Sequence, residues 1–547
     1  MKEWLMRPSD ARIEQSVRAG DWTAPGASSG VPVALRARAT IDPSRPFIVD
    51  RSGSASWEEV AGRSARLASW LKKARVGEGD AVLVQLPNWH EAFVSHVACE
   101  SVGAVTIPLP PTYGSREIRY IASATEARIA LIPETFGRFD YLALYRQLQS
   151  ALPALERIIV LGGTQGVSNA DVVTYSQAIG GDALPEATLE QYSLDPDRIV
   201  EIGFTSGSTG DPKGVLHSSN TLCAEHRTWV NAFSLDSSDV LFIPSTVGHQ
   251  IGFTAMRTTA MIGARLVLID RWNPETAVNL MEQEGVTFTF TTPAFLYDVL
   301  SCSTLRSGSL RSLRTWVLAG QTVSSTLREA ALSALPHVRF QHLFGMTEMG
   351  CTIMNDLAAD PRKAMATGRA QPGITVQIVG ADGTVLAPGV DGELVVNCPS
   401  LFLGYFKQAD LTAASFTVDG YFRTGDQAHL DAEGYVWLTG RLKDLIKRGG
   451  ESIPPVEIEN TIAKHPLVLE VSVVGASDPR LGERICAFIV TRGNEIPTLK
   501  DLTAFAAAMG MPKAWWPERL HIVPSLPRTS IGKIHKAALR ALADREP

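Results

Sequence analysis

The chain has 547 residues, with 51 Lys and Arg against 57 Asp and Glu, a formal net charge of −6. At roughly 100–200 residues per domain, this length implies several folding units. A hydrophobic fraction of 45% with 20% charged residues excludes bulk disorder and fibrous repeats, and the mild acidity argues against a general nucleic-acid binder.

Cys99, Cys223, Cys302, Cys351, Cys398 and Cys486 contain no CxxC pair, so they read as packing thiols in a reducing compartment. The amino terminus, MKEWLMRPSDARIEQ, lacks the apolar stretch of a signal peptide. No apolar run reaches the roughly 18 residues of a membrane span. A cytoplasmic protein is expected.

Helical spacing over 56–74, 91–103, 116–125 and about 141–152 alternates with short apolar runs at 80–87, 104–110, 128–133 and 157–162. Alternation of this kind predicts a parallel sheet with helices on its faces. Residues 163–197, richer in Gly, Asn, Asp and Pro, read as a connecting excursion. Strands are expected again at 199–204, 265–270, 286–290 and 315–320. From about 373 to 440 the texture turns to short strands with Gly-rich punctuation. After 443 comes a compact series of helix (456–464), strands (469–475, 485–491), helix (500–509), strand (519–523) and helix (534–543). The expected fold class is α/β: a large amino-terminal domain of layered α/β subdomains over 1–442, including a β-rich subdomain at about 373–440. A small α+β domain, 443–547, follows.

The strongest local feature is Thr205-Ser206-Gly207-Ser208-Thr209-Gly210-Asp211-Pro212-Lys213-Gly214, between a predicted strand and a helical pattern beginning near Val215. Small residues let backbone N–H groups turn inward. Four hydroxyls and a lysine add donors, which suits a polyphosphate better than a flexible linker. It is not a Walker A loop, because Pro212 intrudes and Lys213 is followed by Gly.

This decapeptide resembles the signature of the adenylate-forming superfamily, which includes acyl-CoA synthetases, peptide-synthetase adenylation domains and firefly-type luciferases. Further motifs occur in the family's order. His342-Leu343-Phe344-Gly345-Met346-Thr347-Glu348 is similar to its YGxTE, and Tyr421 to Asp426 (YFRTGD) to its ribose motif. Gly440 to Lys447 (GRLKDLIK) is similar to its hinge, and Pro527 to Ile534 (PRTSIGKI) to its terminal lysine motif.

The resemblance implies two half-reactions. A carboxylate attacks the α-phosphorus of ATP to give an acyl-adenylate and pyrophosphate, and a thiol then displaces AMP. Bringing two anions together needs cations and oriented donors. By resemblance, Lys533 contacts the carboxylate and α-phosphate, Thr347 donates to the α-phosphate, and Glu348 holds Mg²⁺. Asp426 accepts from the ribose hydroxyls, with Arg441 beside it. Thr205 to Gly210 and Lys213 cradle phosphates, while Gly320, Gln321 and His342 to Met346 form the adenine site. Two departures stand out: Phe344 replaces the usual Tyr, and Ala319-Gly320-Gln321 replaces Gly-Gly-Ala. Lys443 occupies the hinge position. Gly449 and Gly450 fall where the pantetheine thiol of CoA enters, although a β-turn explains them equally well. Any of the charged residues taken alone is most simply a solvated side chain; the motif context lifts them above that.

The acyl pocket is expected from 245–257, 319–323 and 345–351: His249, Phe253, Met256, Gly320, Met349 and Cys351. Their apolar, adaptable character points to a hydrophobic monocarboxylic acid, fatty, alicyclic or similarly bulky, with aryl acids remaining open. The leading expectation is an acyl-CoA synthetase. The alternatives are an AMP ligase loading a carrier protein, a luciferase-like oxidase and a non-catalytic nucleotide sensor.

Overall fold

The computed structural model describes residues 30–163, 171–185, 196–205, 212–321, 323–358, 360–493, 495–528 and 534–545. Its contacts fall into two compact units. The first comprises Met1–Ala364, Ala370–Ile374 and Asn397–Ala414, and the second Met365–Arg369, Thr375–Val396 and Ser415–Pro547.

The first unit is built on two sheets. In one, the parallel strands Ile199–Thr205, Val105–Pro108, Ala81–Val84, Ile129–Pro133, Arg157–Leu161 and Val172–Thr174 lie side by side. In the other, parallel strands run in the order Arg339–Met346, Thr315–Ala319, Phe288–Thr291, Val240–Ile243, Arg265–Leu268 and Pro46–Asp50. The near-continuous apolar character of these strands matches parallel sheets covered on both faces. Helices Trp57–Lys73, His90–Ser101, Ser219–Phe233 and Gln250–Ile262 contribute to one core shared with strands of both sheets. Trp57, Phe93, Trp229 and Phe253 lie fully inside it. Helix starts follow local chemistry: Ser56 and Glu59 form a capping box, and Asn273 caps the helix that opens on Pro274.

One expectation is corrected. The residues after the Gly-rich loop do not begin a helix near Val215. Lys213–Ser218 is a strand, paired antiparallel with Ile199–Thr205 and, on its other side, with Gly404–Tyr405. Val215 and Leu216 fit either period, and the sheet edge decides in favour of extension. The helix starts only at Ser219, capped by the Ser218 hydroxyl, which accepts from the Thr221 N–H. The excursion at 163–197 also contains a short strand and the helical turn Tyr175–Ala178.

The second unit holds a four-stranded sheet of 375–379, 392–397, 422–430 and 436–441. It also holds a five-stranded sheet built around the long antiparallel pair Val468–Asp478 and Gly482–Thr491. Helices Pro455–Ile462, Leu499–Ala508 and Lys536–Ala543 pack around the second sheet. Among the described residues no helix is long and apolar enough to cross a membrane. All six cysteines are free, and all but Cys302 are buried.

Candidate active site

In open α/β sheets, ligands bind beyond the carboxyl ends of the strands. Four of the expected segments gather at such ends. Thr205 closes its strand at the start of the Gly-rich loop. Gly320 and Gln321 follow the strand Thr315–Ala319. His342 to Met346 end the strand Arg339–Met346, and a tight turn carries Thr347 and Glu348, closed by the Met349 N–H donating to Met346 O (3.1 Å).

That turn is anchored from three sides. Phe402 N–H donates to Glu348 O (2.7 Å). The Tyr405 hydroxyl donates to Glu348 Oε1 (2.9 Å). His217 Nε2–H donates to Thr347 O (2.8 Å), while Nδ1 accepts from the Thr221 hydroxyl (3.0 Å). Burial pulls the His217 pKa down to about 4, so the ring is neutral and this tautomer is the one the carbonyl requires. Lys213 Nζ lies 5.3 Å from the centroid of the Tyr405 ring, within cation–π range. Lys213, Tyr405 and Glu348 thus form one chain from the end of the Gly-rich loop to the turn. The second Glu348 oxygen carries no hydrogen bond among the described residues. One hard carboxylate oxygen beside a phosphate-type loop fits Mg²⁺, which takes one or two protein carboxylates and completes its shell with phosphate and water.

Among the residues expected around adenine, His342 Nε2 lies 3.3 Å from Gln321 O, and Gly320 has a φ of +82°. Phe344 is half-buried. Among the residues expected in the acyl pocket, His249 sits at the N-cap of helix Gln250–Ile262. Phe253, Met256, Met349 and Cys351 are all buried, and Phe253 stacks on His96 with ring centroids 3.8 Å apart.

The apolar reading of this wall misses its polar centre. Glu225, on helix Ser219–Phe233, is 2% exposed. Its Oε2 accepts from Gln250 Nε2 (3.0 Å) and from the Thr254 hydroxyl (3.0 Å). A Cβ at Gly350 would lie 2.8 Å from its carboxyl carbon, and Gly350 holds φ +66°. Glu225 therefore joins the helix of His249 to the end of the turn bearing Glu348. Glu201, on the strand before the loop, is 1% exposed, and both its carboxyl oxygens lack a partner among the described residues. Burial is the main cause of a raised pKa at each, to about 8 for Glu201 and about 7 for Glu225. Arg257 opposes both shifts, but its ion pair is with Glu100 (3.0 Å). A Glu on a helix with no metal or motif spacing gives no sequence signal of burial, so Glu225 was not accessible to pattern reading, whereas Glu201 stands inside the apolar run of its strand.

In the second unit, Asp426 and Arg441 are directly paired across two antiparallel strands. Arg441 Nε contacts Asp426 Oδ1 at 2.9 Å, with Asp426 buried and Arg441 half-exposed. Lys443 lies in the 3₁₀ turn Leu442–Asp444. Gly449 (φ +58°) and Gly450 (φ +89°) are the two central residues of the hairpin joining Ile446–Arg448 and Glu451–Ile453. That turn requires φ > 0 at both positions, which is the turn explanation in physical form. A Cβ at either would meet open space. Arg448 is held by Glu518 through two hydrogen bonds (3.0 and 3.1 Å). Ser206, Gly207, Ser208, Thr209, Gly210 and Lys533 lie outside the described residues.

A family model described as AMP-binding enzyme matches residues 35–406, and a second, AMP-binding enzyme C-terminal domain, matches 457–533. The chain is 30% identical over 503 residues to a medium-chain fatty-acid–CoA ligase of Escherichia coli (strain K12), covering 91% of this chain and 88% of that protein. It is 32% identical over 500 residues to a 2,3-dihydroxybenzoate-AMP ligase of Bacillus subtilis (strain 168), covering 89% and 88%. Its fold is similar to that of ATP-bound MatB from Rhodopseudomonas palustris, with a TM-score of 0.83 and 26% identity over 93% of this chain and 98% of that one.

Proposed function

The chain belongs to the AMP-binding enzyme family and is an AMP-forming acid–thiol ligase, and from that premise we propose that it is an acyl-CoA synthetase for a hydrophobic monocarboxylic acid. The observation that carries this reading is the convergence of Lys213, Tyr405, Thr347 and Glu348 at the end of the Gly-rich loop.

In this reading ATP lies with its phosphates along the loop, steadied by Lys213. Thr347 donates to the α-phosphate. Glu348 holds Mg²⁺, which supplies neutralisation of phosphate charge when bound. Tyr405 fixes the carboxylate so that it is aimed before nucleotide arrives, the kind of preorganisation that lowers the cost of charge development. Phe344 covers the adenine, and Gln321 and His342 border it. Asp426 accepts from the ribose hydroxyls, and its buried carboxylate is aligned by Arg441. Lys533 brings its point charge to the acid and the α-phosphate for adenylation. The 443–547 domain then turns about Lys443 and presents the Gly449–Gly450 hairpin to the CoA thiol, which displaces AMP.

An aryl acid in place of an alkyl one is the second reading, favoured by the similarity to the dihydroxybenzoate-AMP ligase over most of the chain. The test is a panel of alkyl, alicyclic and aryl acids scored for ATP-dependent pyrophosphate release, with CoA then added to the active ones. An acyl-CoA product supports the reading. Acyl-AMP that forms but is never transferred to CoA points to a carrier-protein acceptor instead. No pyrophosphate with any acid overturns the reading. Lys533→Ala should abolish adenylation yet spare much of thioester formation from supplied acyl-AMP.

A further inference from the structure

We propose that the carboxy-terminal helix Lys536–Ala543 is a strut between the hinge turn and Lys533, and that Lys536, Glu459 and Arg540 are positioning residues for the adenylation step. The inference rests on the reading above, in which Lys533 serves adenylation and the Gly449–Gly450 hairpin of the same domain serves transfer to CoA.

Three observations meet here. First, the segment bearing Lys533 is closed at its base. Arg528 and Ile534 form an antiparallel bridge, and the His535 N–H donates to Pro527 O (2.8 Å). Arg528 is tied to the strand Val468–Asp478 through Glu470 Oε1 (2.7 Å). Second, the first turn of the helix is fixed only three residues after Lys533. Lys536 Nζ donates to Glu459 Oε1 (2.8 Å) and to Val473 O (3.3 Å), while the Val473 N–H donates to the same Glu459 oxygen (2.7 Å). Lys536, Glu459 and the backbone of Val473 thus form a closed set, with the two side chains only 21% and 18% exposed. Third, Arg540, one turn further on, reaches the hinge. It pairs with Asp444 Oδ1 (3.2 Å) and donates to Lys443 O (3.4 Å).

Lys536 and Arg540 are four residues apart, so they lie on one face of the helix, about 6 Å apart along its axis. Leu539 and Ala543 are buried and hold the helix on the sheet against Val474, Ala476, Cys486 and Phe488. One rigid element therefore connects the pivot to the residue that the pivot must deliver. The Lys443 carbonyl lies on the small-domain side of that residue's own torsions. Clamping it to Arg540 confines a turn about Lys443 to those torsions, instead of spreading it into the chain that follows. At the other end, Lys533 is a point charge on a flexible stem that has to reach a fixed place between two anions. Fixing the backbone three residues away limits the positions it samples, and orientation of this kind is a large share of catalytic rate. An exposed lysine–carboxylate pair contributes little by itself; the shared use of Glu459 Oε1 and the Val473 backbone sets this pair apart.

The experiment separates the half-reactions in the full chain and in Lys536→Met, Arg540→Met and the conservative Lys536→Arg. Adenylation is read as pyrophosphate release with ATP and an acid of the panel that the native protein activates. Transfer is read as thioester formation from the matching synthetic acyl-AMP and CoA. Lys536→Met should lower kcat for adenylation at least about tenfold while transfer stays within about twofold of native. KM for ATP and for the acid should change little, and Lys536→Arg should keep most of the native rate. Arg540→Met should lower adenylation in the same selective way. A merely structural role would lower both half-reactions together, because the hairpin used in transfer belongs to the same domain. If either Met variant adenylates at the native rate, or if both half-reactions fall together, the proposal is overturned while the ligase reading stands. If the native protein adenylates no acid, the ligase reading fails and the proposal with it. If it adenylates but transfers nothing to CoA, only the acceptor is wrong, and loss in Lys536→Met with rescue in Lys536→Arg decides. Should Lys536→Met not fold, Glu459→Gln, which removes the charge and keeps the shape, is read in its place.

Discussion

Replacing Glu201 by Gln isolates the cost of a buried carboxyl. The unfolded chain ionises this group above about 4.5, whereas the folded chain, because burial penalises the charge, holds its proton up to about 8. Between those values the unfolded state binds fewer protons, so stability falls as pH rises, by about 1.4 kcal/mol per pH unit. The contribution is fully present below pH 4.5 and lost by about pH 8, a ceiling of about 5 kcal/mol. Gln is the neutral isostere and carries no such term. The assay is urea denaturation of both proteins from pH 5 to 8.5, followed by tryptophan fluorescence. Glu201→Gln should gain on the native protein steadily with pH, and because the Glu225 charge is one cause of the raised Glu201 pKa, the substitution removes that repulsion as well as the burial cost. A stability difference that stays flat across this range would refute the reasoning.

Three further substitutions follow from the anchored turn. Tyr405→Phe removes only the hydroxyl on Glu348 Oε1. It should raise the Mg²⁺ concentration for half-maximal pyrophosphate release by roughly threefold to tenfold, a loss of about 1 kcal/mol, with the thermal midpoint unchanged. His217→Leu strands the half-buried Thr347 carbonyl and should cost about 1 kcal/mol in denaturant titration. Its pH signature is separate: the native His217 contribution is complete above pH 6.5 and lost as pH falls toward 4, so the native protein's loss of stability over that interval should be shallower in the variant. Gly350→Val forces a β-branched residue to φ +66° and into the Glu225 carboxyl. It should destabilise by about 3 kcal/mol or more, measured as a lowered urea midpoint.

Motifs with a chemical reason for their order were legible in the sequence, and so were long periodic elements. Helices at 57–73, 115–125 and 499–508 and the paired strands after 468 fall within a few residues of their expected bounds. The failure at Lys213–Ser218 is instructive. GVLHS has no intrinsic preference strong enough to outweigh an open sheet edge, and its partner strands lie on both sides only after folding. The residues that hold the site in place were silent for a related reason. His217, Tyr405 and Glu225 act through Thr347, Glu348 and Gln250, each more than 20 residues distant, and Glu201 through burial, which is a tertiary property. A lone Glu on a helix is usually a solvated face; only packing against Gly350 and Gln250 turns it into a buried acceptor.

The sharing of Gly203 between Thr347, Glu201 and Gln250 has a kinetic consequence. Groups that read the substrate far from the reacting atoms lower KM by binding ground state and transition state alike. Groups packed against the element proposed to meet the α-phosphate translate a substrate contact into the position of that element. Loss of the Gln250 contact by Gln250→Leu should therefore lower kcat for adenylation at least as much as it raises KM for the acid, with KM for ATP changed little. A pure KM effect would place Gln250 in a binding wall uncoupled from the phosphate side.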